Sequence, residues 1–257
     1  MNYFSPAAAA ERYSRGRPDV HAHSIAQIKG FLHLDQPLAR VLDVACGTGL
    51  STRALLPVAE NIYATDISSE MLRYAPHHDR IHYTLTPAEQ LPFDAGFFDL
   101  LTVSSGVHWF EIGRFIAEVR RVLKSKGWLV LYENYFDAVF QTDPAFAAWW
   151  TEFYKITFPS PPRNTRYPWT SENLAPQGLE FVKELKSDYS LPMTKEQLAL
   201  YFTTQSNVIS QVEAGQYSFE EAEDLLLSEL TPFFTGNEPK SIGFGNWVKF
   251  IQNPGQV

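Results

Sequence analysis

A single cysteine, Cys46, stands in 257 residues. No internal disulfide framework is therefore available, the fold must rest on a packed core, and such cysteine usage fits a reducing compartment. Hydrophobic runs stay well short of the ~20 residues that a membrane span requires. The N-terminal stretch MNYFSPAAAAERY has no basic region followed by an apolar core, so a cytoplasmic protein is expected. Positive charge is scarce as well: 21 basic residues face 29 acidic ones, a formal net charge of −8. With no lysine-arginine cluster long enough to track a phosphate backbone, DNA and RNA are not expected partners. The seven histidines show no metal-ligand spacing with cysteine or paired acids, so no metal is expected. Internal repeats and low-complexity tracts are missing apart from the alanines at 7–10.

What the chain does have is regular alternation. The strand-like runs VLDVA, NIYAT, IHYTL, FDLLTVS and WLVLYEN are separated by helical stretches near 50–58, 69–75 and 112–124. This pattern predicts an α/β, Rossmann-like protein with a mostly parallel sheet covered by helices on both faces. Ligands of such sheets lie beyond the carboxyl ends of the strands, where Asp43, Asp66, Glu89, Ser104 and Glu133 fall. Before the first strand, 20–34 reads as a covering helix. After the fifth come an aromatic-rich helix at 145–156, a strand at 179–193, helices at 194–212 and 218–230, and a last strand in IGFGNWVKFIQ. Thr194 and Ser218 stand in capping-box positions ahead of Gln197 and Glu221. The expected organisation is one domain over 1–257, with an N-terminal cap segment at 1–37, a core at 38–136, and the remaining strands with a helical insertion or lid at 137–257.

The run VLDVACGTGLST, residues 41–52, carries most of the chemistry. An acid, Asp43, lies in the strand, and Gly47 and Gly49 supply a tight turn whose backbone can approach a ligand closely. Asp66 ends the next strand, seventeen residues after Gly49, where a carboxylate can accept from ribose hydroxyls. A dinucleotide and S-adenosylmethionine both suit such a site. The third glycine of a dinucleotide fingerprint is missing, since Thr52 fills that frame, and a fixed charge at Asp43 favours a ligand bearing an ammonium group over a pyrophosphate. A nicotinamide-dependent oxidoreductase and a non-catalytic S-adenosylmethionine-binding protein remain the alternatives.

With these residues in view, the chain resembles the class I S-adenosylmethionine-dependent methyltransferases. VLDVACGTG is similar to the family's first motif, with Ala45 where a glycine usually stands. ATDISSEML is similar to the second, TPAEQLPF to the adenine-edge stretch, FDLLTVSSGVHWF to the fourth strand and its loop, and RVLKSKGWLVL to the entry into the fifth strand. The segment at 4–18 and His108-Trp109-Phe110 resemble a small-molecule branch that includes trans-aconitate methyltransferase-like enzymes. The resemblance implies a seven-stranded sheet whose last strand runs antiparallel. It also implies S-adenosylmethionine as cofactor, held by Asp43, Ala45, Cys46, Gly47, Gly49, Asp66, Ile67, Met71, Ala88, Glu89 and Ser104.

Methyl transfer from a sulfonium needs in-line positioning more than acid-base chemistry. The acceptor is expected to be a small molecule, with a carboxylic acid as one candidate class. His108 follows the fourth strand and is the candidate catalytic group, as a base for a hydroxyl acceptor or as an orienting group for a carboxylate. Tyr13, His108 and Trp109 are the expected acceptor-facing residues, and by resemblance Tyr13 and Arg17 also close over the cofactor. Arg163 and Arg166, beside Tyr167 and Trp169, form a second group able to meet an acidic substrate. Cys46 reads as a small filler rather than a nucleophile. The acceptor atom and the oligomeric state are not encoded in any motif.

Overall fold

The computed structural model describes residues 7–137, 143–161 and 167–255. Along the chain run α1 (Ala7–Gly16), α2 (His21–Phe31), β1 (Leu38–Val44), α3 (Leu50–Ala54), β2 (Ala59–Asp66), α4 (Ser69–Leu72), β3 (Ile81–Leu85), β4 (Phe98–Ser104), α5 (Ile112–Val122) and β5 (Leu123–Phe136). Then come α6 (Pro144–Trp149), a π-helical turn (Trp150–Tyr154), α7 (Lys155–Thr157), α8 (Ser171–Leu174), β6 (Glu180–Met193), α9 (Lys195–Thr203), α10 (Ser206–Glu213), α11 (Phe219–Leu230) and β7 (Lys240–Gln252).

The seven strands form one sheet in the order β3-β2-β1-β4-β5-β7-β6. The pairs β1 with β2, β1 with β4, β2 with β3 and β4 with β5 are parallel. β7 runs against β5: the Lys126 N–H donates to the Asn253 carbonyl and the Asn253 N–H to that of Gly127, while Asn246 reaches the Glu133 carbonyl further along. Burial of both faces explains the apolar strand interiors. Leu42, Leu101, Leu129 and Leu131 enter one core and Val41, Ile62, Leu100 and Val130 the other.

The chain divides into two compact units. One comprises 1–18, 135–162 and 187–245, the other 19–134, 163–186 and 246–257. The second contains β1 to β4 and the glycine loop. In the first, α1 and α11 pack on α9, and Arg12 pairs with Glu220 (2.9 Å) and Glu223 on α11.

Several element boundaries differ from those expected. The stretch expected to be helical over 50–58 stops at Ala54, ahead of Pro57, which lacks the N–H to continue a helix. The expected helix at 194–212 is two, because Thr204 closes α9 and Gln205 is extended before α10. The aromatic helix near 145–156 contains a π-helical turn in its middle. Both capping boxes form, with Thr194 and Ser218 each accepting from the backbone three residues on. Within the segment at 4–18, Ala7–Gly16 is a helix. Tyr167 and Trp169 are packing residues: Trp169 joins the core around Phe115 and Leu174, and the Tyr167 hydroxyl donates to the Asn173 carbonyl. Arg163 and Arg166 lie outside the described residues.

One buried polar group locks β5 and β7 to α2. Asn246 donates to Ser24 Oγ (2.9 Å) and Asn134 Oδ1 (3.0 Å), and Asn134 donates back to Ser24 (3.1 Å). Replacing Asn246 by alanine strands buried acceptors and is expected to cost about 1 to 3 kcal/mol in chemical denaturation. A change under about 0.5 kcal/mol would show that the group carries no net stability.

Candidate functional site

β1 delivers Asp43 to the underside of the loop at 45–49, where the carboxylate is completely enclosed. Ser51 and Thr52, at the start of α3, donate to Oδ2 at 2.6 and 2.7 Å, and Thr102 on β4 donates to Oδ1 at 2.9 Å. Burial outweighs these donors and pushes the carboxyl up to about 6, with Asp66 adding a smaller push in the same direction. The protein's own hydroxyls surround Asp43, which ties α3 to β1 and β4 beneath the loop and sets a fixed negative charge there.

Above it the loop turns by left-handed backbone at Ala45 (φ 57°), Gly47 (φ 56°) and Gly49 (φ 78°). A Cβ on Gly49 would stand 2.5 Å from the Tyr83 hydroxyl, and one on Gly47 3.1 Å from Met71 Cε. Both glycines are thus fixed by close approach as well as by conformation. Ala45 holds the same geometry with a Cβ, a strain of about 1 kcal/mol or more. That Cβ also fills the space beside Gly106, where an added Cβ would sit 2.8 Å from it.

The loop's amides are largely committed. The Cys46 N–H donates to the Thr65 carbonyl, that of Gly49 to the Cys46 carbonyl (2.9 Å), and that of Gly47 to Asp66 Oδ2 (2.8 Å). Cys46 is buried, and desolvation pushes its thiol well above the ordinary range, which makes it a filler and not a nucleophile.

Asp66 closes β2 and is the hinge of the site. Its second oxygen accepts from the Ser68 N–H (2.8 Å). Partial burial raises its carboxyl from the usual range, against three backbone donors that lower it. Each oxygen accepts one of these two N–H groups and keeps a further lone pair. Beside it two large apolar side chains stand bare: Ile67 is 63% exposed, and Leu85, paired with Asp66 in the β2–β3 register, is 57% exposed. Thr48 Oγ1, Thr65 Oγ1 and the Tyr83 hydroxyl are buried around the loop without hydrogen-bond partners among the described residues.

The remaining expected residues divide by task. Met71 is buried under Gly47, and its N–H is capped by Ser68 Oγ (3.2 Å). Ala88 is buried, while the Glu89 carboxylate takes the Glu111 N–H (2.7 Å) and so ties the 86–91 loop to the entry of α5. Ser104 ends β4 half-buried. Just beyond it His108 lies in a single 3₁₀ turn (Val107–Trp109), its ring 4.6 Å from that of Trp109. All these positions share the unit that contains the glycine loop. Tyr13 and Arg17 belong to the other unit, where the Arg17 guanidinium lies over the rings of Tyr13 and Tyr201. Sequence reading overlooked Ser51, Thr52 and Thr102. Their signal was a pair of hydroxyl residues just past Leu50, two and three positions after Gly49, and a lone threonine inside an apolar strand.

Residues 42–131 match the family model described as "Methyltransferase domain". Among curated proteins, the ubiquinone/menaquinone biosynthesis C-methyltransferase UbiE of Citrifermentans bemidjiense is 36% identical over 105 residues, 37% of this chain and 45% of that protein. The uncharacterized methyltransferase YcgJ of Bacillus subtilis is 30% identical over 103 residues, 37% of this chain and 41% of that protein. The chain thus spans less than half the length of these relatives. A solved structure of a candidate type II methyltransferase from Anaeromyxobacter dehalogenans has the same fold (TM-score 0.64, 18% identity, covering 88% of this chain and 94% of that one). So does the [4+2]-cyclase SpnF (TM-score 0.55, 16% identity, covering 91% and 81%).

Two outcomes follow from the loop. Gly106→Ala should destabilise the wild type by about 1 to 3 kcal/mol through overpacking. In an Ala45→Gly background, where the space is vacated, it should cost much less. Additive effects in that double-mutant cycle would rule out the contact. For Asp43, the folded carboxyl (about 6) lies above its ordinary value of 3.8. The folded state therefore binds the extra proton between those pH values, and stability from this group falls as pH rises through that window. Relative to Asp43→Asn, the wild type should lose stability by at most about 3 kcal/mol between pH 3.5 and 7. A pH-independent difference would contradict the burial.

Proposed function

We propose that this chain, whose residues 42–131 match a methyltransferase domain, is a class I S-adenosylmethionine-dependent methyltransferase that transfers the methyl group of S-adenosylmethionine to a small-molecule acceptor, a carboxylic acid being the first class to test. The observation that carries the reading is the division of labour at the ends of β1 and β2. The Gly47 and Gly49 N–H groups are already used, by Asp66 and by the Cys46 carbonyl, so neither glycine gives its amide to a pyrophosphate. Asp66 instead presents acceptor capacity for a ribose diol beside the bare Ile67 and Leu85, an apolar ledge suited to a base. The enclosed negative charge of Asp43 lies under the loop, which favours a cationic ligand over an anionic one.

When bound, S-adenosylmethionine supplies a methyl group on a sulfonium that is its own leaving group. The protein's part is to hold donor and acceptor in line and to keep water out, and such positioning is worth roughly 7 to 11 kcal/mol. His108, just beyond β4, orients the acceptor, and for a hydroxyl acceptor it takes the proton that the new O–C bond releases. A carboxylate acceptor needs no base. Support for a small-molecule acceptor also comes from the relative named as a quinone-pathway C-methyltransferase, and from an acidic chain without a basic stripe.

The test is S-adenosylhomocysteine production across a panel of carboxylic acids, phenols and quinols. Turnover with any of these acceptors is expected, and silence with all of them would favour binding without catalysis. With a working acceptor, Asp66→Ala should lower kcat/KM for the donor by about 5- to 150-fold, the equivalent of 1 to 3 kcal/mol, chiefly through KM. An unchanged donor KM would remove the ribose assignment.

A further inference from the structure

The turn that carries His108 is supported at both ends by other loops at the carboxyl edge of the sheet. At its start Gly106 lies against Ala45 of the glycine loop, where an added Cβ would stand 2.8 Å from the alanine's own. At its end the Glu111 N–H, the first amide after Phe110, donates to Glu89 Oε1 of the 86–91 loop (2.7 Å). Between the two ends the Trp109 N–H donates to the Gly106 carbonyl (3.1 Å) and that of Phe110 to the Val107 carbonyl (3.3 Å). Hydrogen bonds of this 3₁₀ kind are poorly aligned, so a single such turn takes its direction from where its ends are held.

The bond at Glu111 is unusual in its partner. Glu111 is the N-cap of α5, and its own carboxylate turns forward to accept from the Gly113 and Arg114 N–H groups (3.2 and 3.3 Å). In a capping box the N-cap amide is taken by the side chain three residues on, as Gln197 and Glu221 do in α9 and α11. In α5 that position is Arg114, whose guanidinium has no acceptor to offer. Glu89, 22 residues earlier in the chain, supplies the missing carboxylate. A bond that a helix normally makes within its first turn is thus made between two loops.

The loop that carries Glu89 is itself pinned. The Thr86 N–H donates to the Asp66 carbonyl (2.9 Å) and the Thr86 hydroxyl to the Gln90 carbonyl (2.7 Å). At the far end Glu118 Oε2 accepts from the Leu91 N–H (2.6 Å), and Arg121 Nη2 donates both to the Leu91 carbonyl (2.7 Å) and to Glu118 (2.7 Å). The carboxylate of Glu89 therefore hangs from backbone fixed on β2 at one side and on α5 at the other.

We infer that Glu89 is a positioning residue: by accepting the Glu111 N–H it fixes the turn Val107–Trp109 and so sets His108 toward the acceptor, while taking no part in holding the methyl donor. What His108 is set to do rests on the methyl-transfer reading, whereas the tie between the two loops does not.

The experiment is amide hydrogen exchange of the full chain, read residue by residue, for the wild type, Glu89→Ala and Glu89→Gln. The glutamine keeps an Oε1 acceptor and serves as the rescue. Without any ligand, the Glu111 amide should exchange about tenfold faster in Glu89→Ala and within about threefold of the wild type in Glu89→Gln. Amides of β4 and β5 should be unchanged, which separates release of the turn from general unfolding. S-adenosylhomocysteine affinity should stay within about twofold in both variants, and with a working acceptor Glu89→Ala should lower kcat by about tenfold at an unchanged donor KM. Equal exchange of the Glu111 amide in wild type and Glu89→Ala would overturn the inference. So would weakened S-adenosylhomocysteine binding in Glu89→Ala, which would make Glu89 a donor contact, or an unchanged kcat. A wild type that binds no S-adenosylhomocysteine would instead remove the methyl-transfer reading, and with it the role given to His108, while the unliganded exchange still decides the tie.

Discussion

The site rests on an unexposed carboxylate. Asp43 is held by three hydroxyls from two elements, so β1, β4 and the first turn of α3 are joined at one point directly beneath the glycine loop. The loop can then afford its left-handed backbone at Ala45, Gly47 and Gly49, since strain persists only where surrounding structure over-determines it. A negative charge kept dry under the loop also disposes the ligand above it toward positive charge. Removing the hydroxyls would leave that charge buried and unpaired, which is costlier than never having placed it there.

From this anchor the rest follows outward. Asp66 binds the loop through the Gly47 amide and α4 through the Ser68 amide, so it is both a strut and the polar face offered to a ligand. Ile67 and Leu85 remain bare beside it, and large apolar side chains exposed at the edge of a site are where a flat ligand gains most from covering them. The fold by itself does not dictate the outcome. The [4+2]-cyclase SpnF shares it, so the argument for methyl transfer stands on the loop and on the match over 42–131.

Much of this was legible in the chain. Alternation of apolar strands with helices specified the parallel sheet, because strands covered on both faces must be apolar throughout. Glycine spacing and the acid seventeen residues on marked the loop and Asp66. What could not be read was the depth of a group. Asp43 and Asp66 look alike in sequence, each an acid in or at the end of a short apolar run, yet one is sealed and the other half-open. The difference is made by Ser51, Thr52 and Thr102, partners that only the fold brings together. The split of 194–212 at Thr204 and the π-helical turn at Trp150–Tyr154 escaped for a related reason. Helical periodicity survives a one-residue irregularity, while the packing that imposes it is distant in sequence.

The central claim is that the residues where β1 and β2 end suit a sulfonium nucleoside. Equilibrium dialysis of the intact protein against labelled S-adenosylmethionine, beside labelled NAD in a parallel cell, reads this most directly. The account predicts saturable uptake of S-adenosylmethionine approaching one molecule per chain, displaced by S-adenosylhomocysteine, and none of NAD. Folded protein that takes up the dinucleotide, or neither compound, would contradict it.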